Sequence, residues 1–190
     1  MEAGLRRGAI AKLKLGDIKD DWGVPRITIT RTPNDPADPR QDKPSQKTKM
    51  HVSPLNKNTM KDLVSYVETA RTKYPQSNLH DFVFIVEKGN AGFPLSLRGF
   101  DYVFERLGKH LGFHLTPHML RHKWNEEYDK AADALGYSGE VKEDIRKNAM
   151  GWSENSSMGR VYNAKRLAEQ AQKIQQEMQR EQFNKVKYND

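Results

Sequence analysis

A chain of 190 residues has room for one ordinary domain with a real core and not for two large ones. It has no cysteine, which removes disulfide frameworks, thiol nucleophiles and Cys-rich zinc sites, and no apolar run nears the ~20 residues that span a bilayer or follows Met1 as a signal region; a soluble, cytoplasmic protein is expected. The 32 Lys and Arg against 25 Asp and Glu leave a formal net charge of +7, which favours a polyanionic partner, nucleic acid first, with a plain solubility charge as the alternative.

Leu5, Ile10 and Leu13 lie near helical spacing and predict a short helix within residues 5–15, ended by the acidic, Gly-containing stretch 17–23. In 24–31 Ile27 and Ile29 alternate with polar residues, Pro33, Pro36, Pro39 and Pro44 then interrupt, and 50–55 can return, which makes a β-hairpin with a long loop. Met60, Leu63, Val64 and Val67 form one helical face; residues 82–86 are a brief apolar segment. Phe100, Val103, Phe104, Leu107 and Leu111 form a second helical face, with Ser96 as its cap.

Thr116-Pro117 is a cap followed by proline at the first helical position, so a helix starts there with His118 and Arg121, three apart, on one face of its opening turn. Another helix is predicted over about 141–150 after the turn at 136–139. Residues 164–183 are Gln-rich, with Leu167, Ala171, Ile174 and Met178 in heptad-like spacing. The sum is a mainly helical protein with one small sheet.

Phosphate-binding P-loop, dinucleotide-binding glycine, H-E-x-x-H and G-x-S-x-G patterns are all missing. His114, His118 and His122 are spaced by four, but Thr116-Pro117 puts His114 before the helix and argues against a metal face. What remains is a distributed polar set: G-L-R at 4–6 with D-I at 17–18, Q-K-T-K before P-L at 54–55, H-M-L-R-H at 118–122, G-W at 151–152, and Tyr162 ten residues after Trp152. Each element alone is ordinarily a helix-surface ion pair or a half-buried aromatic. Together, in this order, they resemble the tyrosine recombinase, or phage integrase, family.

The resemblance implies an α+β, mainly α, recombinase catalytic-domain fold with a small antiparallel sheet over 1–163, and a helical tail over 164–190. It implies that Arg6 and Arg121 clamp a phosphate, that Lys47 is the hairpin lysine, that His118 opens the histidine box, that Trp152 holds the His/Trp position and that Tyr162 is the nucleophile. Lys43 and Lys49 are the alternatives to Lys47. Arg6, Lys47, Arg121 and His122 would contact DNA. No cofactor or metal is implied, because planar guanidinium groups can meet both non-bridging oxygens with charged, bidentate donors. The implied partners are double-stranded DNA and further copies of the chain, as a tetramer on DNA, with the tail docking on its own domain or on a neighbour.

Three departures from the family pattern carry expectations. Ala9 stands where an acidic residue usually orients the first arginine. Arg121 and Trp152 are 31 positions apart, and the added turn and helix near 136–148 should leave the site undisturbed. Only three residues precede Gly4, so the chain reads as a fragment with Arg6 near a frayed end. The implied activity is site-specific DNA cleavage and rejoining through a 3′-phosphotyrosyl link; the alternative is a non-catalytic DNA-binding remnant of an integrase from a mobile element.

Overall fold

The computed structural model describes residues 2–20, 24–156 and 175–176. Ile27 and Ile29 are two apart and share one face of a strand, so both can enter a core while Arg26 and Thr28 stay outside it. β2 (Arg26–Ile29) pairs antiparallel with β3 (His51–Pro54), setting Ile27 opposite Ser53 and Ile29 opposite His51. Its other edge takes β1 (Ile18–Lys19), with Ile18 opposite Ile27, and the sheet order is β1-β2-β3. A two-residue strand gives too little alternation to be read from sequence.

The opening helix is shorter than expected. α1 (Arg7–Ala11) stops because Leu13 is needed beside the 82–86 segment, where the Val83 N–H donates to Leu13 O at 2.9 Å and the Leu15 N–H to Asp81 O at 2.8 Å. Leu15–Asp17 then makes a 3-10 turn, closed by the Asp17 carboxylate accepting from the Lys14 N–H at 2.8 Å. Ala9, Leu13, Ile27, Ile29 and Val83 form the main core, with Leu55, Leu63, Tyr66 and Phe84 packed against it.

The buried Arg40 helps hold down the proline-interrupted loop between β2 and β3. Arg40 Nε and Nη2 donate to the Asp38 carboxylate, each at 2.8 Å, and Nη1 donates to Ala11 O and Leu95 O. Its guanidinium also lies 4.5 Å from the centre of the Phe82 ring. Burial pushes the Asp38 carboxyl up, but the Arg40 guanidinium and backbone N–H outweigh it and hold the group below the usual carboxylate range.

α2 (Lys57–Ser65) is capped by Asn56 and buries Met60. α3 (Leu97–Leu111) has the expected Ser96 cap, whose hydroxyl accepts from the Gly99 N–H at 3.1 Å. Its apolar face divides. The row of Phe100, Phe104 and Gly108 turns inward, whereas Val103, Leu107 and Leu111 are exposed at 51%, 42% and 49%. The two rows are inclined across the helix surface, and α3 meets the rest of the protein mainly through α1.

α4 (Pro117–Ala134) starts as expected, with the Thr116 hydroxyl accepting from the Met119 N–H at 3.2 Å and proline in the first turn. α5 (Gly139–Ala149) starts two residues before the predicted position. The fully buried Asp129 and Arg146 join α4 to α5 at 3.1 Å, and Lys142 reaches Asp129 and Asp133 at 3.2 and 2.8 Å. No helix among the described residues is long and apolar enough to cross a membrane. Tyr162 and the Leu167, Ala171, Ile174, Met178 stripe lie outside the described residues.

Candidate active site

Gly4 has φ +55°, and a Cβ there would lie 2.6 Å from the Trp124 ring, so glycine is required where the G-L-R segment crosses α4. Trp124 Nε1 donates to Glu2 O at 2.7 Å, and the Glu2 carboxylate accepts from the Asn56 N–H and the Thr59 hydroxyl, each at 2.9 Å. Arg121 Nη1 donates to Gly4 O. The segment before Arg6 is thus tied to α4 and α2, which corrects the expectation of a frayed end. Ala9 is buried in the main core, so an ionised carboxylate at that position would be taken out of water.

Arg121 is itself buried at 3% exposure, and its guanidinium lies 5.6 Å from the centre of the Trp152 ring. Trp152 is buried with Met150 and against Trp124. The end of α5 therefore brings the candidate residue Trp152 to Arg121. The Trp152 N–H donates to Lys147 O at 2.8 Å, closing the end of α5, and the Lys49 N–H donates to Gly151 O at 2.7 Å, fastening that end to the hairpin. Gly151 has φ +60°, and a Cβ on it would collide with His51 Nδ1 and come within 2.7 Å of Lys49 O.

His51, which no sequence motif singles out, packs against Gly151. Its Nδ1 lies 2.9 Å from Lys49 O, and its pKa is lowered by burial and by the positive charges of Arg121 and Arg6. The available signal was strand alternation, since residues 51 and 53 share the inward face of β3.

A cleft of about 1260 Å³ runs between α1, the hairpin loop, α3 and the start of α4, and Arg6, Lys47, His118 and Arg121 all line it. α1 approaches the hairpin loop closely, since a Cβ on Gly8 would lie 2.5 Å from Ser45 O. Among the three lysines considered, Lys47 lines the cleft, Lys43 donates to Asp35 O at 2.9 Å, and Lys49 lies 3.8 Å from the Glu154 carboxylate. His118 and His122, one turn apart on α4, meet edge to face with Nε2 atoms 2.9 Å apart. The pKa of His122 is lowered by burial, then by His118, with Glu126 opposing and Arg121 adding to the effect. Four of the six candidates share one cavity, Trp152 packs behind it, and Tyr162 lies outside the described residues. Guanidinium, ammonium and imidazole groups from three elements line this cleft, with Asp101 and Glu105 also in its lining, and such cations suit a bound anion such as a phosphate.

The crystal structure of XerA recombinase matches this fold with a TM-score of 0.56 and 19% sequence identity. The match covers 85% of this chain and 47% of that one, so the chain spans about half the length of that recombinase, and at such identity the likeness is one of fold. No curated protein matches the chain. The model of the phage integrase family matches residues 1–169, nearly the whole described region and beyond it through Tyr162. The chain belongs to the phage integrase family.

Proposed function

We propose that the chain is the strand-cleaving and rejoining part of a site-specific DNA recombinase, acting in the cytoplasm on double-stranded DNA. The observation that carries this reading is the convergence of Arg6, Lys47, His118 and Arg121 on one cleft although they are scattered over residues 6–121. In this reading residues 1–163 are the catalytic domain, and residues 164–190 are a tail that mediates assembly of a tetramer on DNA.

The Tyr162 hydroxyl attacks the scissile phosphorus, its proton passing to His118, because a phenol with an ordinary pKa near ~10 is mostly protonated at neutral pH. Arg6 and Arg121 meet the charge that accumulates on the non-bridging oxygens. The P–O5′ bond breaks as Lys47 protonates the departing oxygen. A 3′-phosphotyrosyl ester remains, and attack by another 5′-hydroxyl reverses the step without an external energy source. Trp152 packs against Arg121 and keeps water from that side of the guanidinium.

Tyr162→Phe tests this directly on a nicked suicide DNA substrate. The unaltered chain should form a denaturation-resistant protein–DNA adduct, and the variant should form none while binding DNA about as well. A persistent adduct in the variant would move the nucleophile elsewhere. Binding without an adduct in either protein would favour a non-catalytic remnant.

A further inference from the structure

In the proposed strand transfer His118 acts as a base. To accept a proton from the nucleophile, its ring must present a lone pair, and a neutral imidazole has two tautomers that place that lone pair differently. Nε2 of His118 lies 2.9 Å from Nε2 of His122, so one ring must donate and the other accept.

We infer that His122 is a positioning residue: its Nε2 accepts the Nε2–H of His118 and holds His118 in the tautomer whose lone pair is on Nδ1, the base for the nucleophile. This inference rests on the strand-transfer reading and specifies how its base is held. The direction of the bond follows from what happens during the reaction. Once His118 has taken the proton it carries N–H on both ring nitrogens, and only an acceptor at His122 keeps the contact. A bond running the other way would set two N–H groups against each other at that moment.

The surroundings favour the acceptor role. His122 is half-buried, and burial, His118 and Arg121 all disfavour its protonation, with Glu126 one turn on acting against them. The edge-to-face packing, with ring centres 4.4 Å apart, fixes the orientation of both rings. Sequence spacing alone made this pair two members of an i, i+4, i+8 histidine run; the cap at Thr116 leaves His114 outside the helix and His118 and His122 as neighbours one turn apart.

The experiment uses the full chain with 15N-labelled histidine. Long-range 1H–15N spectra should show His118 as a single tautomer protonated at Nε2. His122→Phe keeps a ring of similar size but removes the acceptor, and His118 should then exchange between tautomers. His122→Gln, whose side-chain oxygen can accept from the same N–H, should restore the single form. On suicide DNA the rate of adduct formation should fall on the order of 10–100-fold in His122→Phe, the usual effect of losing a group that orients a functional histidine, and recover in His122→Gln.

A His118 tautomer indifferent to His122, or a loss confined to DNA affinity, overturns the inference. Absence of any adduct with the unaltered chain rejects the strand-transfer reading instead, and the ring spectra, which need no DNA, still decide the positioning role.

Discussion

At the scale of single residues, the sharpest question raised by the proposed strand transfer is which lysine would protonate the leaving group. Three compete within seven positions, and only their surroundings differ. Lys43 is spent on a loop carbonyl, Lys49 leans toward Glu154, and Lys47 lines the cleft. Lys47→Ala should therefore slow cleavage of ordinary DNA by the ~10²–10⁴-fold typical of general acid catalysis. Replacing the bridging 5′ oxygen with sulfur should largely abolish the defect, because a thiol, with a pKa near ~8.5, is acidic enough to leave unprotonated. Arg121→Ala should show no such rescue, since the non-bridging oxygens still lack their clamp. Rescue of Lys43→Ala or Lys49→Ala in place of Lys47→Ala would refute the assignment.

At the scale of elements, the hairpin loop is held by a buried charge as well as by the fully buried Pro44. Arg40 joins Asp38, the end of α1 and Leu95, and its ring partner Phe82 belongs to the core-facing 82–86 segment. Removing one member of a buried ion pair strands the other, so Arg40→Met should lower unfolding stability by about 3–5 kcal/mol in chemical denaturation. Because the folded Asp38 carboxyl is held below its ordinary value, its contribution is present above pH ~4 and is lost as pH falls through the folded-state value. Asp38→Leu combined with Arg40→Met should flatten that acid dependence. A single variant as stable as the parent would show that the loop is held by other contacts.

At the scale of the whole molecule, a net charge of +7 acquires meaning from where the cations converge. Arg6, Lys47 and the buried Arg121 line one cleft, whereas Arg40, Arg71 and Arg146 are bound to internal carbonyls and carboxylates outside its lining. DNA affinity should accordingly fall with salt, each neutralised phosphate contributing about −0.9 to the logarithmic slope. Arg6→Ala should make that slope shallower by roughly one. An unchanged slope, measured by titration at several salt concentrations, would place Arg6 away from the phosphates.

The sequence by itself determined the elements that local chemistry controls. Ser96 and Thr116 cap helices because their hydroxyls accept from N–H groups three residues on, and Ile27 and Ile29 enter the core because a strand alternates its faces. The order of its motifs was enough to identify the family. Tertiary structure decided what depends on partners distant in the chain. α1 ends early because Leu13 pairs with Val83, and α3 leaves Val103, Leu107 and Leu111 outside because, among the described residues, the packing is on its other apolar row. Gly151 must be glycine because the hairpin, some hundred residues earlier, passes against it, and the same approach brings His51 toward the two arginines. Buried Arg40 and Arg146 read as surface charges in a sequence, since a side chain's burial is set by the carbonyls and carboxylates that the fold gathers around it.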